Sequence, residues 1–355
     1  MRLGVQFRLW VIGWAACATA VTAQQNTLPP TEEIATLLAQ IHADLSGVSS
    51  GSLPDYIPAL TEVDPDRLAV AVVLTDGRTI SVGDAKHAFV IMSAAKPFTA
   101  ALVMQQRGRE CIQQKIGVEP TGAAFNSIDA IESHPERSVN PMVNAGALAA
   151  VSLIEGDGPE AQWATLLSWY RQLADAKLQL DTAVYTSVRN SGMRNRAIAS
   201  LLLDYGRLYG DSEAVRDVYN RQSSVNVTTE QLAMMGAVLA NGGTHPVTGE
   251  QLLDPEVVSG VLALMTMAGM YDGAGEWAWQ VGLPAKSGVG GGIVAVAPGR
   301  LSIAAFSPRL DEHGNSVRAQ LAIRRVSNSL GLGLFGPVAA DPPCADSEPS
   351  RAEEP

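Results

Sequence analysis

Residues 89–97, Phe89-Val90-Ile91-Met92-Ser93-Ala94-Ala95-Lys96-Pro97, join a short apolar run to the start of a helix. Proline is tolerated only in a helix's first turn, because it lacks an N–H and its ring clashes with the preceding turn. Pro97 therefore places Ser93 at the very beginning of that helix. Residues three apart share a helix face, so the Lys96 amine can reach the Ser93 hydroxyl. An alcohol is a poor nucleophile until a base takes its proton. A lysine serves as that base only when uncharged, which requires burial or a neighbouring cation. Phe89 to Met92 and Phe98 are apolar enough to permit burial, and a helix N-terminus favours a developing alkoxide. Taken alone, Ser-x-x-Lys is a common pattern whose plainer reading is a capped helix with a solvated lysine.

Upstream, Thr31 caps a predicted helix in which Ile34, Leu37, Leu38, Ile41 and Leu45 recur at helical spacing. Leu68 to Leu74 is a short apolar run, followed by Thr75-Asp76-Gly77-Arg78 and then Thr79 to Val82, which reads as a β-hairpin turning at Asp-Gly. Residues 120–270 are mostly helical, with Thr228 and Gln231 forming a capping box and Asn241-Gly242-Gly243 ending that helix. Strands return at Gly292 to Val296 and Leu301 to Ser307, around Pro298-Gly299. Asn315 then opens a closing helix with Val317, Leu321 and Val326 inward. The expected fold class is α+β: one antiparallel sheet built from both chain ends (about 60–92 and 284–330), beside a mostly helical block.

The chain has 355 residues, with 25 Lys and Arg against 36 Asp and Glu, a formal net charge of −11. Its 46% apolar content excludes global disorder. The acidic balance argues against nucleic acid or an anionic membrane surface as partner. Arg2 and Arg8, the apolar stretch Leu9 to Ala23 and the ending Val21-Thr22-Ala23 read as a signal peptide over 1–23, hence export to a periplasm or medium, with no membrane contact after cleavage. The catalytic domain is expected over 24–335 and a disordered tail rich in Pro, Asp, Glu and Ser over 336–355. Export leaves Cys111 and Cys344 as a possible disulfide pair, which the sequence alone does not settle. Three cysteines and five scattered histidines leave little for a metal, and no cofactor is expected.

Two later motifs change the weight of Ser93-Ala94-Ala95-Lys96. Ser224-Val225-Asn226 and Lys286-Ser287-Gly288 follow it in the order found in serine β-lactamases and penicillin-binding proteins. Longer blocks sharpen the comparison: Glu119-Pro120-Thr121-Gly122 with Phe125-Asn126-Ser127, Asn140 to Ala147, Gly192 to Ala197, Leu239 to Gly243, Gly269-Met270-Tyr271-Asp272, Val281 to Ile293, Asp311 and Gly314 to Arg318. With these, the chain resembles the serine-dependent glutaminases, a branch of the β-lactamase-like fold, over about 60–325.

That resemblance implies an amidohydrolase that converts glutamine and water to glutamate and ammonia through an acyl-enzyme. Carried over by motif, Ser93 is the nucleophile and Lys96 the base. The Val289 and Ser93 N–H groups form the oxyanion hole, Asn144, Asn195 and Tyr219 hold the amino-acid end of the substrate, and Tyr271 stands near the scissile amide. Lys286 is a cation beside the site, and a homodimer or homotetramer is implied. Each residue also has a plainer reading: Asn144 as a helix cap, Asn195 on a helix surface, Tyr219 and Tyr271 as packed phenols, and Gly288 with Gly290 to Gly292 as a strand bend.

One departure matters. Glutaminases usually carry a glutamate seven residues before the asparagine matching Asn195, pairing with the substrate's α-ammonium. Here that position is Val188, in Ser187-Val188-Arg189. Three readings therefore stay open: a glutaminase with altered α-ammonium recognition, a hydrolase of the same fold acting on another amide such as an N-acylated glutamine or a β-lactam, and a non-catalytic amino-acid-binding protein.

Overall fold

The computed structural model describes residues 28–134 and 139–336. The expected signal peptide at 1–23, Cys344 and nearly all of the 336–355 tail lie outside the described residues.

Among the described residues, eight strands form two sheets. The larger contains β1 (Ala69–Leu74), β2 (Thr79–Gly83), β6 (Ala285–Ser287), β7 (Gly292–Ala297) and β8 (Leu301–Phe306), in the antiparallel order β2-β1-β8-β7-β6. The smaller contains β3 (Phe89–Val90), β4 (Gln179–Leu180) and β5 (Val225–Val227), in the order β3-β5-β4. The helices are α1 (Thr31–Leu45), α2 (Lys96–Arg107), α3 (Arg109–Lys115), α4 (Asp129–Glu132), α5 (Asn144–Ser152), α6 (Pro159–Ala174) and α7 (Thr182–Ser191). They continue with α8 (Met193–Asp204), α9 (Ser212–Ser223), α10 (Thr229–Ala240), α11 (Pro255–Ala268), α12 (Ala274–Gln280) and α13 (Val317–Leu330).

The large sheet joins the chain ends as expected, because β1 pairs with β8 from Ala69↔Phe306 to Leu74↔Leu301. Its central strands are buried on both faces, so they read as unbroken apolar runs without alternation. Val70, Val72, Ile293, Ala295, Ile303 and Ala305 pack toward α1 and α13. Ala71, Val73, Val294, Val296, Ala304 and Phe306 face the helical block. There α10 lies directly on the sheet, started by the predicted Thr228–Gln231 capping box.

Four local expectations are corrected. Pro30, not Thr31, occupies the N-cap of α1, and the Thr31 hydroxyl instead accepts a hydrogen bond from Arg78 at 2.7 Å. Ser316 rather than Asn315 caps α13, its hydroxyl accepting from the Ala319 N–H. The inner face of α13 is Ala319, Ala322, Ile323, Val326 and Leu330, while Val317 and Leu321 sit half-buried at its edge. Ser93 begins no α-helix directly: a 3-10 turn over Met92–Ala95 comes first, and Met92 takes a left-handed φ of 47° to enter it.

Candidate active site

The short strand β3 delivers the chain to Ser93. It pairs with β5, and the Ile91 N–H donates to the Val225 carbonyl at 2.9 Å. The tight turn that follows puts Lys96 Nζ 2.7 Å from Ser93 Oγ. Lys96 is 1% exposed, and burial lowers its pKa from 10.5 to about 7. A substantial fraction of amine near neutrality follows.

Asn144, Asn195 and Tyr219 converge on this pair from three helices. Asn144 opens α5 but caps nothing. Its Oδ1 lies 2.8 Å from Lys96 Nζ and accepts from the Tyr219 hydroxyl at 3.1 Å. Its Nδ2 donates to Asn195 Oδ1 at 2.9 Å. The side chain that a sequence reader could assign to a cap thus holds the Lys96 amine instead.

Tyr271 stands on the opposite side, in a 3-10 turn (Tyr271–Gly273) with a left-handed φ of 60°. Burial raises its pKa to about 12, opposed by hydrogen bonding to Ser93. Its hydroxyl also donates to the Ser287 carbonyl at 3.3 Å, and its ring lies 4.9 Å from that of Phe125. Lys286, fully buried on β6, places Nζ 3.8 Å from the centre of the Tyr271 ring.

Val289 follows in the turn between β6 and β7. A Cβ added to Gly288 would stand 2.7 Å from the Ile91 carbonyl oxygen and 3.2 Å from the Ser93 nitrogen. Only a bare backbone fits there, so Gly288, the residue before Val289, packs directly on the Ser93 backbone. Among the described residues the Val289 N–H has no backbone acceptor.

Val188 is buried on the inner face of α7, in one apolar cluster with Val90, Met92, Val184 and Val289. Arg189 points to solvent. The Ser224-Val225-Asn226 motif, by contrast, contributes no side chain to the dyad. Ser224 Oγ donates to the Asn220 carbonyl, and Asn226 Nδ2 donates to Asp181 at 3.1 Å. Tyr56 was not singled out by sequence, yet it stands close enough for the charge of Tyr271 to bear on it and for its own to bear on Tyr219. Nothing in its local sequence marks it, because the contact spans more than 160 residues. Among the described residues no three His, Cys, Asp or Glu side chains gather as metal ligands.

With this geometry in hand, the chain can be set beside known proteins. The glutaminase family profile matches residues 51–335. The glutaminase of Colwellia psychrerythraea is 48% identical over 307 residues, covering 86% of this chain and 99% of the relative. That of Mycobacterium marinum is 46% identical over 294 residues, covering 83% and 92%. Among solved structures, the probable glutaminase ybaS superposes with a TM-score of 0.85 at 42% identity, over 86% of this chain and 99% of that one. The structure of Mglu in its glutamate form superposes with a TM-score of 0.82 at 40% identity, over 85% and 70%. The α+β architecture is therefore the β-lactamase-like fold of these enzymes. A sheet built from both chain ends, a serine–lysine pair at its edge and a family match over residues 51–335 lead to one conclusion: the chain belongs to the glutaminase family.

Proposed function

We propose that the protein hydrolyses the side-chain amide of glutamine to glutamate and ammonia, with Ser93 as nucleophile and Lys96 as general base. The carrying observation is the 2.7 Å approach of a buried Lys96 Nζ to Ser93 Oγ, with the amine's pKa lowered to about 7. Lys96 takes the hydroxyl proton as Ser93 Oγ attacks the amide carbon. The N–H groups of Ser93 and Val289 receive the oxyanion, and the packing of Gly288 on the Ser93 backbone supports this assignment. Tyr271, hydrogen-bonded to Ser93, is placed to pass a proton to the departing ammonia. Water then cleaves the ester by the reverse proton path. Asn144, Asn195 and Tyr219 hold the amino-acid end, supported by their direct linkage to Lys96.

The test is ammonia release from glutamine by the purified protein and by Ser93→Ala. A loss of at least about 10³-fold is expected; an unaffected Ser93→Ala would overturn the assignment.

A second reading has its own observation. The apolar wall of Val188, Val184, Met92 and Val289 offers no anion to an α-ammonium. The carboxylates of the flanking segments are engaged elsewhere: Asp181 with the Val184 N–H and Asn226, Asp217 with Tyr185 and Arg221, Glu213 with Arg216 and Arg196. An ammonium buried without a partner costs about 2–5 kcal/mol of binding, at least about thirty-fold in affinity. An N-acylated glutamine carries no such charge. The ratio of kcat/KM for N-acetylglutamine and glutamine separates the two readings.

Export through residues 1–23 is part of the proposal. It is tested by sequencing the N-terminus of protein recovered outside the cytoplasm, where a chain starting at Gln24 is expected. A dimeric or tetrameric assembly is read by sedimentation.

A further inference from the structure

Behind the active site, the turn from Asp311 to Asn315 lies against three parts of it. Its backbone closes on itself, the Asp311 N–H donating to the Asn315 carbonyl at 2.9 Å. The Asp311 carboxylate stiffens it further. It accepts from the His313 and Asn315 N–H groups at 3.0 and 2.9 Å, and from Gln320 Nε2 on α13 at 2.7 Å. At the tip Gly314 takes a left-handed φ of 83°. A Cβ added there would stand 3.4 Å from the Phe125 ring and 3.6 Å from the Val289 side chain, so the turn runs close beside both. Asn315, buried, donates from Nδ2 to the Met270 carbonyl at 3.4 Å, and His313 Nδ1 stands 3.1 Å from Asp272 Oδ2. Residues 270 and 272 flank Tyr271. The turn therefore grips the chain on either side of a residue whose left-handed φ of 60° is strained and persists only where its surroundings hold it.

We propose that His313 is a positioning residue for the reaction: its Nδ1–H holds Asp272, and through Asp272 the strained turn that presents the Tyr271 hydroxyl to Ser93. An ionised carboxylate only accepts, so Nδ1 is the donor of this pair whether the ring is neutral or charged. Asp272 raises the His313 pKa above its ordinary 6.5, chiefly through this hydrogen bond, and Asp311 and Glu312 add to the rise. The charged contact is the stronger one, yet the neutral ring keeps the same N–H in place.

Competing charges are few. Glu276 and Arg324 line the recess beside the pair, and Gln280 engages both, at 2.7 Å and 2.9 Å. The His313 and Asp272 side chains are 34% and 31% exposed, so water weakens their bond and sets its effect at about five-fold in turnover. His313 lies between the matching blocks Asp311 and Gly314 to Arg318 and in neither of them, so the resemblance does not supply this contact.

This role rests on the reading of Tyr271 as the proton donor, and the two are tested separately. Glutamine turnover is measured for His313→Leu, which removes the donor, and for His313→Asn, whose Nδ2–H can stand in for Nδ1–H. His313→Leu should lower kcat about five-fold and leave KM within about two-fold, the mark of an interaction made in the transition state. His313→Asn should restore kcat. In a Tyr271→Phe background, His313→Leu should cost nothing further, because the hydroxyl it positions is gone. An unchanged kcat in His313→Leu, an equal loss in both backgrounds, or a His313→Asn as slow as His313→Leu overturns the proposal. Placement is also read without chemistry. In protein carrying ¹³C-tyrosine, the Tyr271 ring resonance should shift in His313→Leu and return in His313→Asn; a resonance that His313→Leu leaves unmoved overturns the proposal. If Tyr271→Phe turns over glutamine at the wild-type rate, the proton-donor reading falls and the ring resonance by itself decides the bracing. If His313→Leu does not fold, Asp272→Ala, which removes the acceptor, takes its place with the same loss and the same shift expected.

Discussion

Lys96 lies in a turn that any capped helix could contain, but only its burial lets it serve as the proposed base. With a pKa lowered to about 7, it is protonated below that value and free above it. We expect kcat/KM to rise about tenfold per pH unit below pH 7 and to level off above it; a profile flat between about pH 5 and pH 8 would contradict this. Gly288 carries a second prediction. A methyl at that position meets the Ile91 oxygen at 2.7 Å and the Ala94 nitrogen at 3.0 Å, so Gly288→Ala must push the Val289 peptide away from Ser93. A displacement near 1 Å lowers turnover by about 10²-fold, and stopped-time ammonia assays on folded variant will show it in kcat. Val188→Glu returns a carboxylate to the apolar wall. It should lower the KM for glutamine by at least about tenfold and leave N-acetylglutamine unimproved; equal effects on both substrates would mean that residue 188 does not face the α-nitrogen.

At the level of elements, legibility tracked how local the governing interaction is. The α10 capping box joins Thr228 to Gln231, three residues apart, and was readable directly. Thr228→Ala should cost about 1 kcal/mol of stability, measured by urea unfolding, with activity per folded molecule unchanged because α10 lies under the sheet rather than in the site. Both long hairpins were equally plain, since Gly77 and Gly299 take left-handed φ values of 87° and 73° that glycine permits. The small sheet β3-β5-β4 was not legible. Its strands are two or three residues long, too short for any periodicity, and it exists because residues 89, 179 and 226 meet in space. The caps of α1 and α13 were misplaced by one residue for a related reason: the candidate Thr31 hydroxyl is taken by Arg78 on the far side of a hairpin.

Across the whole molecule, the sheet is continuous only when both ends of the chain are present, and each of its faces needs a cover. α13 and α1 cover one, α10 and its neighbours the other. A chain ending at Ser316 would leave Ile293, Ala295, Ile303 and Ala305 facing water, all of which are buried in the intact protein. It is expected to be insoluble or to lack a cooperative thermal transition, and a sharp transition by circular dichroism would contradict this. The intact protein should unfold in one step, because the helical block and the sheet share a single apolar cluster.

The primary structure alone determined the family and the meeting of Ser93 with Lys96, because the two sit one turn apart and backbone geometry by itself brings them together. It also exposed Val188 as a departure, since that is a matter of residue type at a spacing. Tertiary structure decided everything that depends on distant segments meeting. It brought Asn144 to Lys96 rather than to a helix cap, turned Ser224 and Asn226 away from the dyad, and set Lys286 against the face of Tyr271. Hydrogen bonding, burial and charge at such points are set by neighbours tens to hundreds of residues away, and no local pattern records which neighbours those will be.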